Sequence, residues 1–282
     1  AEKSRKVYQL AEQTRYWGFV DAWRQIVAEG QIGRVTFCEG QYIGYYGTRM
    51  FFQDPETGRS CGAEELSQYG GARPTWLQDM PPIHYLPHEL SPMLKVLDDR
   101  VVEVSGMSTG SPSYAHPQIT TPDIQVALMK TEKDALLRMA AGFTQPVPHA
   151  RGHHWYQVMG TGGSIEWGRS GRDRPKMWRA DGQMHDMAEM DWRFERTDAP
   201  AEARSSGHGD ADYYVHAAFR DAVRDGRPLS FDVYAAMDTA APAILAADAI
   251  EAGRTLSVPD FRPGNGRSIG EEPAIGELPK DK

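Results

Sequence analysis

The feature that most constrains this chain is a series of short β-type segments joined by turns too tight to hold a helix. Val101–Met107, Asp123–Lys130 and Ala135–Phe143 read as strands, with Thr131–Asp134 as the turn between the last two. Gly160-Thr161-Gly162-Gly163 then joins Trp155–Met159 to Ser164–Gly168 as a hairpin. Strands linked in this way pair antiparallel, because parallel neighbours need a long crossover. Gly33 to Tyr46, rich in Val, Phe, Ile and Tyr, predicts a further strand, and Val7–Glu12 a short one.

Helical periodicity flanks the strands. Arg15–Glu29 places Trp17, Val20, Trp23, Ile26 and Val27 on one face and stops at Gly30. His208–Asp225 repeats the pattern with Val215, Ala218, Phe219, Ala222 and Val223, ending at Gly226. Asp232 caps a last helix that runs to Ala252 before Gly253, and Pro242 within it predicts a kink. The expected fold class is therefore α+β: an open, mostly antiparallel sheet with helices packed on one face. Residues 47–82 and 169–206 read as loop, and 263–282 as a flexible tail. Loops longer than about 15 residues inside a domain are usually functional.

Composition narrows the function classes. Among 282 residues, 40% are hydrophobic and 25% charged, which fits a folded globular chain. A net charge of −8, from 31 basic and 39 acidic residues, argues against nucleic-acid binding. Uncharged apolar stretches such as Ala240–Ala247 fall short of the ~20 residues that span a bilayer, so no membrane partner is expected. Two cysteines, Cys38 and Cys61, define neither a disulfide framework nor a zinc site. The opening Ala-Glu-Lys-Ser-Arg-Lys has no starting Met and no apolar signal core. It predicts a chain cut from something longer, with a cytoplasmic location by default.

Chemistry concentrates in Ile83-His84-Tyr85-Leu86-Pro87-His88-Glu89. Pro87 suits the first turn of a helix, and a helix N-terminus favours the neutral imidazole of His88, the form that accepts a proton. Tyr85, three residues earlier, can point into the same site. His84 and His88 lack the Glu and third ligand of a metal motif, so no metal is expected. Gly160–Gly163 lacks the strand–GxGxxG–helix setting and reads as a turn rather than a phosphate cradle. His149, His153 and His154 beside Arg151 read as a solvated basic loop. Arg15 and Tyr16 stand at a helix start where they could face a cleft, and His208 and Asp212 open another helix.

The order of these motifs resembles the Gfo/Idh/MocA oxidoreductases over about residues 3–261. Lys3–Glu12 looks like the end of that family's nucleotide-binding domain, and Arg15-Tyr16-Trp17 with Ile26 to Gly33 like its linking helix and exit. Tyr85-Leu86-Pro87-His88-Glu89-Leu90-Ser91-Pro92 resembles the signature YPTHxLGP of a subgroup that includes NAD-dependent glycoside hydrolases. His208–Asp212, Gly226–Leu229 and Asp232–Tyr234 match the closing helices. The resemblance implies residues 1–14 as the remnant of a nucleotide-binding domain and 15–262 as a substrate domain built on an open sheet used for homo-oligomerisation.

It also implies Tyr85 and His88 as catalytic proton-transfer groups toward a carbohydrate hydroxyl, with Tyr16 at the cleft edge. His84 stands near where dehydrogenase members carry an Asp, a departure. Arg15, Trp76, His208 and Asp212 are the further candidates for substrate contact, and the 47–82 segment with Tyr69, Arg73 and Trp76 for covering the sugar. NAD or NADP is the implied cofactor, held by a domain upstream of residue 1 and by no residue of this chain. Three readings follow: the substrate domain of an NAD(P)-dependent sugar or polyol oxidoreductase, a redox-assisted glycoside hydrolase, or a non-catalytic binding or assembly module.

Overall fold

The hairpin series becomes one large sheet in a computed structural model that describes residues 2–4, 6–45, 50–62, 65–68, 70–147, 152–182, 184–264 and 267–271. The chain begins with helix α1 (Gly18–Ala28) and strand β1 (Val35–Ile43), followed by three two-residue strands, β2 (Phe52–Gln53), β3 (Ser60–Cys61) and β4 (Arg73–Pro74). Helix α2 (Pro87–Leu97) leads into β5 (Val101–Ser108), β6 (Gln125–Thr131) and β7 (Leu136–Gly142). Then come β8 (His154–Gly160), β9 (Gly163–Glu166), β10 (Lys176–Arg179) and β11 (Ala188–Glu189). Helices α3 (Ala201–Arg204), α4 (Ala211–Asp225) and α5 (Val233–Ala252) precede β12 (Leu256–Ser257).

Nine strands form the main sheet in the order β11-β10-β9-β8-β1-β7-β6-β5-β12. Every neighbouring pair is antiparallel except β1 and β7, which run parallel with Phe37 opposite Leu136. The α+β class with helices on one face is the observed one. β6 shows why: Gln125, Ala127, Met129 and Thr131 are buried, while Leu128 and Lys130 between them are exposed. Successive strand side chains point to opposite faces, so one face packs on helices and the other stays open. On the covered face α2 lies over β1, and Gly40 is what lets it approach. A Cβ at residue 40 would stand 2.8 Å from Met139 Sδ and 3.0 Å from Glu89 Cβ.

The main core gathers Phe19, Val20 and Trp23 of α1, Leu90, Met93 and Leu94 of α2, and Tyr156 and Val158 of β8. Each such side chain contributes about 1.5–3 kcal/mol by leaving water. A second cluster holds Tyr42, Phe51, Phe52, Leu77, Ile119 and Phe143. It seats the 47–82 segment, where the sequence predicts loop and the structure has β2–β4 as a small sheet of their own. Two-residue strands are too short to show alternation, which hid them. Within 169–206, where the sequence predicts irregular chain, the structure has β10, β11 and the one-turn α3. Residues 7–12 carry no regular secondary structure, so the expected short strand is absent.

Asp232 caps α5 by accepting the N–H groups of Tyr234 and Ala235 at 3.0 Å each, and Gly226 (φ 66°) and Gly253 (φ 63°) end α4 and α5 in the left-handed region. α5 continues past Pro242 as a single helix. Its 20 residues are long and apolar enough to cross a membrane by length and composition, with half of it buried inside the fold; the shorter stretch apparent in the sequence stops at Asp248. Cys38 and Cys61 are both free and buried.

Candidate active site

A 3-10 turn over Pro82–Tyr85 feeds directly into α2, with Pro87 at its first position. His88 and Glu89 therefore sit in the first turn of α2 and, being adjacent in a helix, point about 100° apart. His88 reaches back to the segment before α1, where its Nδ1 lies 2.8 Å from Glu12 Oε1. Glu12 is buried and its Oε1 also accepts the Thr14 N–H at 3.1 Å. The Thr14 hydroxyl lies 2.7 Å from Glu12 Oε2 and 2.8 Å from the His88 carbonyl oxygen. With Oε1 already an acceptor, the shared proton belongs to His88 Nδ1, and Nε2 keeps the lone pair.

Glu89 points the other way, across Gly40 to the sheet. Its Oε1 lies 2.8 Å from Nδ1 of His154 on β8, and the carboxyl is wholly buried. Burial pushes Glu89 well above the usual carboxylate range. The same burial pushes His154 down to about 3. The neutral pair is thus favoured: Glu89 donates its proton to Nδ1, and His154 is left with a proton on Nε2. Tyr156 braces both residues, its hydroxyl donating to the His88 carbonyl at 3.1 Å and lying 3.3 Å from His154 Nδ1. Two histidines of opposite tautomer, ring centroids 6.1 Å apart, therefore share one site.

Aromatic rings fill the space beside them. Tyr85 is centred 4.9 Å from His88 and 5.0 Å from Phe143. Tyr42 stacks on His88 at 5.4 Å and on His153 at 5.8 Å, and meets His154 edge-on at 4.8 Å. Burial raises the Tyr85 hydroxyl above its ordinary range, so it is a phenol at neutral pH.

The other candidates fall in different places. His208 lies at the rim: its carbonyl accepts the Trp17 indole N–H at 3.1 Å, and Trp17 meets His154 at 4.9 Å. It pairs through Nδ1 with Asp212 Oδ1 at 3.0 Å and holds a φ of 53°, uncommon outside glycine. Gly207 makes room for this pair, since a Cβ there would meet Asp212 Oδ2 at 2.2 Å.

Tyr16 is buried in the main core rather than at a cleft edge. The Arg15 guanidinium donates to the carbonyls of Ser91 (2.9 Å) and Ser230 (3.1 Å) and lies over Phe231. Its cleft, of about 450 Å³ and also lined by Lys95, Asp98 and Arg262, lies at the far end of α2. Ten residues of helix, about 15 Å, separate Asp98 from His88. His84 lies within electrostatic reach of Asp248 on α5, and burial lowers its pKa. Trp76 is 60% exposed on a separate 3-10 turn.

Sequence reasoning missed Glu12, Tyr42, Glu89, His154 and Tyr156, and it read His153 and His154 as solvated when they form a wall of the site. His149, Arg151 and Tyr69 lie outside the described residues. The signal was present for β8, where His154, Tyr156 and Val158 alternate onto the core face. Among the described residues no group of three or more His, Cys, Asp or Glu is placed to hold a metal.

The model of the glycosyl hydrolase 109 C-terminal domain matches residues 24–267. The chain belongs to that family. It is a Gfo/Idh/MocA-type C-terminal domain, as the motif order implied, and the match includes Tyr85, His88, His154 and His208 while Glu12 precedes it. Solved structures share the fold. An oxidoreductase from Agrobacterium radiobacter, in complex with NAD+, L-tartaric acid and magnesium, superposes with a TM-score of 0.60 at 15% identity, over 91% of this chain and 66% of that one. An aldose-aldose oxidoreductase from Caulobacter crescentus complexed with glycerol gives 0.60 at 12%, over 91% and 65%. A scyllo-inositol dehydrogenase from Lactobacillus casei with NAD(H) and scyllo-inositol gives 0.58 at 13%, over 90% and 66%. The chain thus spans just under two thirds of the length of these structures. No curated protein matches it.

Proposed function

We propose that this chain forms the substrate side of a site that oxidises a hydroxyl of a sugar or polyol. The observation that carries the reading is the Glu12–His88 pair: a carboxylate fixes the tautomer, so His88 Nε2 is a positioned base. A carbinol proton passes to His88 Nε2, and Glu12 stabilises the imidazolium that results. Tyr85, held as a phenol beside His88, donates to or relays from the same oxygen. His154 Nε2–H donates to a neighbouring hydroxyl and orients the ring.

NAD or NADP would accept the hydride. The described residues do not fit that group: none of their elements forms a strand–glycine loop–helix unit, and Gly160–Gly163 is the β8–β9 hairpin turn. Its binding is assigned to protein outside this chain. The test uses the full-length protein and measures reduction of added nicotinamide by a panel of sugars and polyols. His88→Ala should abolish turnover while sugar binding persists; turnover at the wild-type rate would refute the assignment, and a purely binding module would show no turnover in either form.

A second reading is favoured by the glycosyl hydrolase 109 match. If the same base serves an oxidation that precedes elimination and re-reduction, a glycoside is cleaved with no net change in the cofactor. Release of aglycone without accumulating reduced nicotinamide separates it from simple oxidation.

Assembly is proposed on the open sheet face. Met107 (82% exposed), Leu128 (57%), Leu136 (56%) and Met159 (41%) form an apolar surface around the Glu39–Arg138 ion pair, of the kind that associates with a second copy.

A further inference from the structure

The cleft at the far end of α2, about 450 Å³ in volume, collects arginines from three segments: Arg15 ahead of α1, Arg24 on α1 and Arg100 after α2. Carboxylates line it too, but each is already engaged. Glu132 pairs with Arg100 at 3.0 Å and Asp98 with Lys133 at 3.8 Å. Arg262 holds both Asp238 and Asp260. Asp99 accepts the backbone N–H groups of Arg100 at 2.8 Å and Lys133 at 3.2 Å. Lys95 pairs with Asp21, outside the lining, at 2.6 Å.

Two cations are left over. Among the described residues neither Arg15 nor Arg24 has a carboxylate within 4.0 Å. The half-buried Arg15 guanidinium donates only to the Ser91 and Ser230 carbonyls, and its Nε is enclosed without a partner. Arg100 Nη1 is enclosed in the same way. Burial lowers the pKa of Arg15; Glu12 and Asp232 act on it only from a distance, and the charge of Arg24 opposes it. A cation drawn out of water needs a counter-charge in contact, and the chain supplies none.

We infer that this cleft is a binding site for a compact oxyanion, the phosphate or carboxylate group of a small molecule, held between Arg15 and Arg24. The planar fork of a guanidinium matches the oxygens of either group. The engaged carboxylates set the size of the ligand, because they repel an extended polyanion and leave room for one anionic group beside the two arginines. The volume lies within the ~300–1,000 Å³ typical of ligand sites. With about 15 Å of helix between Asp98 and His88, the inference stands apart from the reading of His88 as the site of chemistry.

The test is calorimetric titration of the full-length protein with sodium phosphate and, separately, with sodium citrate, at an ionic strength fixed with sodium chloride. Saturable binding of at least one salt is expected, phosphate pointing to a phosphoryl ligand and citrate to a carboxylate. Arg24→Gln, at an exposed position, should weaken that binding at least about tenfold, the scale of hydrogen bonds to a charged group. Arg15→Lys keeps the charge, loses the fork and should weaken it too; where that variant fails to fold, the Arg24 result decides. Arg34→Gln removes an exposed arginine outside the lining, and His88→Ala removes the proposed base; both should leave the affinity unchanged. Saturation by neither salt overturns the site, as does an affinity unchanged in Arg24→Gln. Equal losses in Arg24→Gln and Arg34→Gln would show general surface charge, and a loss in His88→Ala would place the anion at the other site; either result overturns the inference.

Discussion

Two His–Glu pairs share the first turn of α2, and they are wired in opposite senses. His88 extends from the helix to a carboxylate in the preceding segment, where the Thr14 N–H already donates to Glu12. Glu89 extends from the helix to a histidine on the sheet, with its carboxyl wholly buried. The first environment keeps the proton on the histidine's Nδ1 and leaves a base. The second drives both groups to their neutral forms and leaves a donor. Identical residue types at about 2.8 Å thus take different roles because of what surrounds each carboxyl.

The largest expected effect breaks the first pair. His88→Ala in the full-length protein should lower kcat by about 10²–10⁴-fold, the scale of a positioned general base, read in steady-state kinetics. Glu12→Gln should also be costly, since the amide cannot offset an imidazolium. Glu89→Gln should be close to neutral for turnover, because its amide N–H donates to His154 Nδ1 as the protonated carboxyl does. Equal losses in the two Gln variants would refute the contrast between the pairs.

Packing comes next. Gly40→Ala pushes a methyl into Met139 and Glu89 and should cost about 1–3 kcal/mol of stability as overpacking, measured by urea unfolding. If α2 shifts to absorb it, the His154–Glu89 pair loosens and kcat falls with it.

The pH dependence of stability sharpens the comparison further. Glu89, raised above its ordinary 4.5, contributes stability that is full below pH 4.5 and is lost as pH rises through its folded value. His154, lowered from 6.5 to about 3, contributes stability that is full above pH 6.5 and is lost as pH falls toward 3. Between 4.5 and 6.5 the folded and unfolded pair each hold one proton, so their joint contribution is flat. The stability of wild type minus that of Glu89→Gln should therefore shrink as pH rises above 4.5; a difference that grows would mean an ionised Glu89.

The smallest effect is at the open face. Leu128→Asp with Leu136→Asp should reduce the mass of any assembly seen by light scattering while leaving monomer stability within about 0.5 kcal/mol, as for exposed positions. An unchanged mass would move the interface elsewhere.

Local pattern made much of this legible. Short β-type runs and tight turns marked β5–β9, glycines marked the ends of α4 and α5, and Asp232 announced a cap that the structure contains. The Tyr85–His88 stretch stood out because proline, histidine and tyrosine crowd a helix start, and the two rings do meet. Alternation could not reveal β2–β4, which are held by Phe51, Phe52 and Ile119 in a cluster assembled from distant segments. Nor could it show that β1 runs parallel to β7, because that pairing joins segments about a hundred residues apart.

What the sequence by itself determined is the period of each element and the residue types at the start of α2, since both depend on neighbours a few positions away. What only the tertiary structure decided is which carboxyl each histidine meets. Glu12 lies 76 residues from His88 and Glu89 lies 65 from His154. No local rule links such pairs; the crossing of α2 over Gly40 on β1 does, and the depth at which each carboxyl is then buried sets its proton.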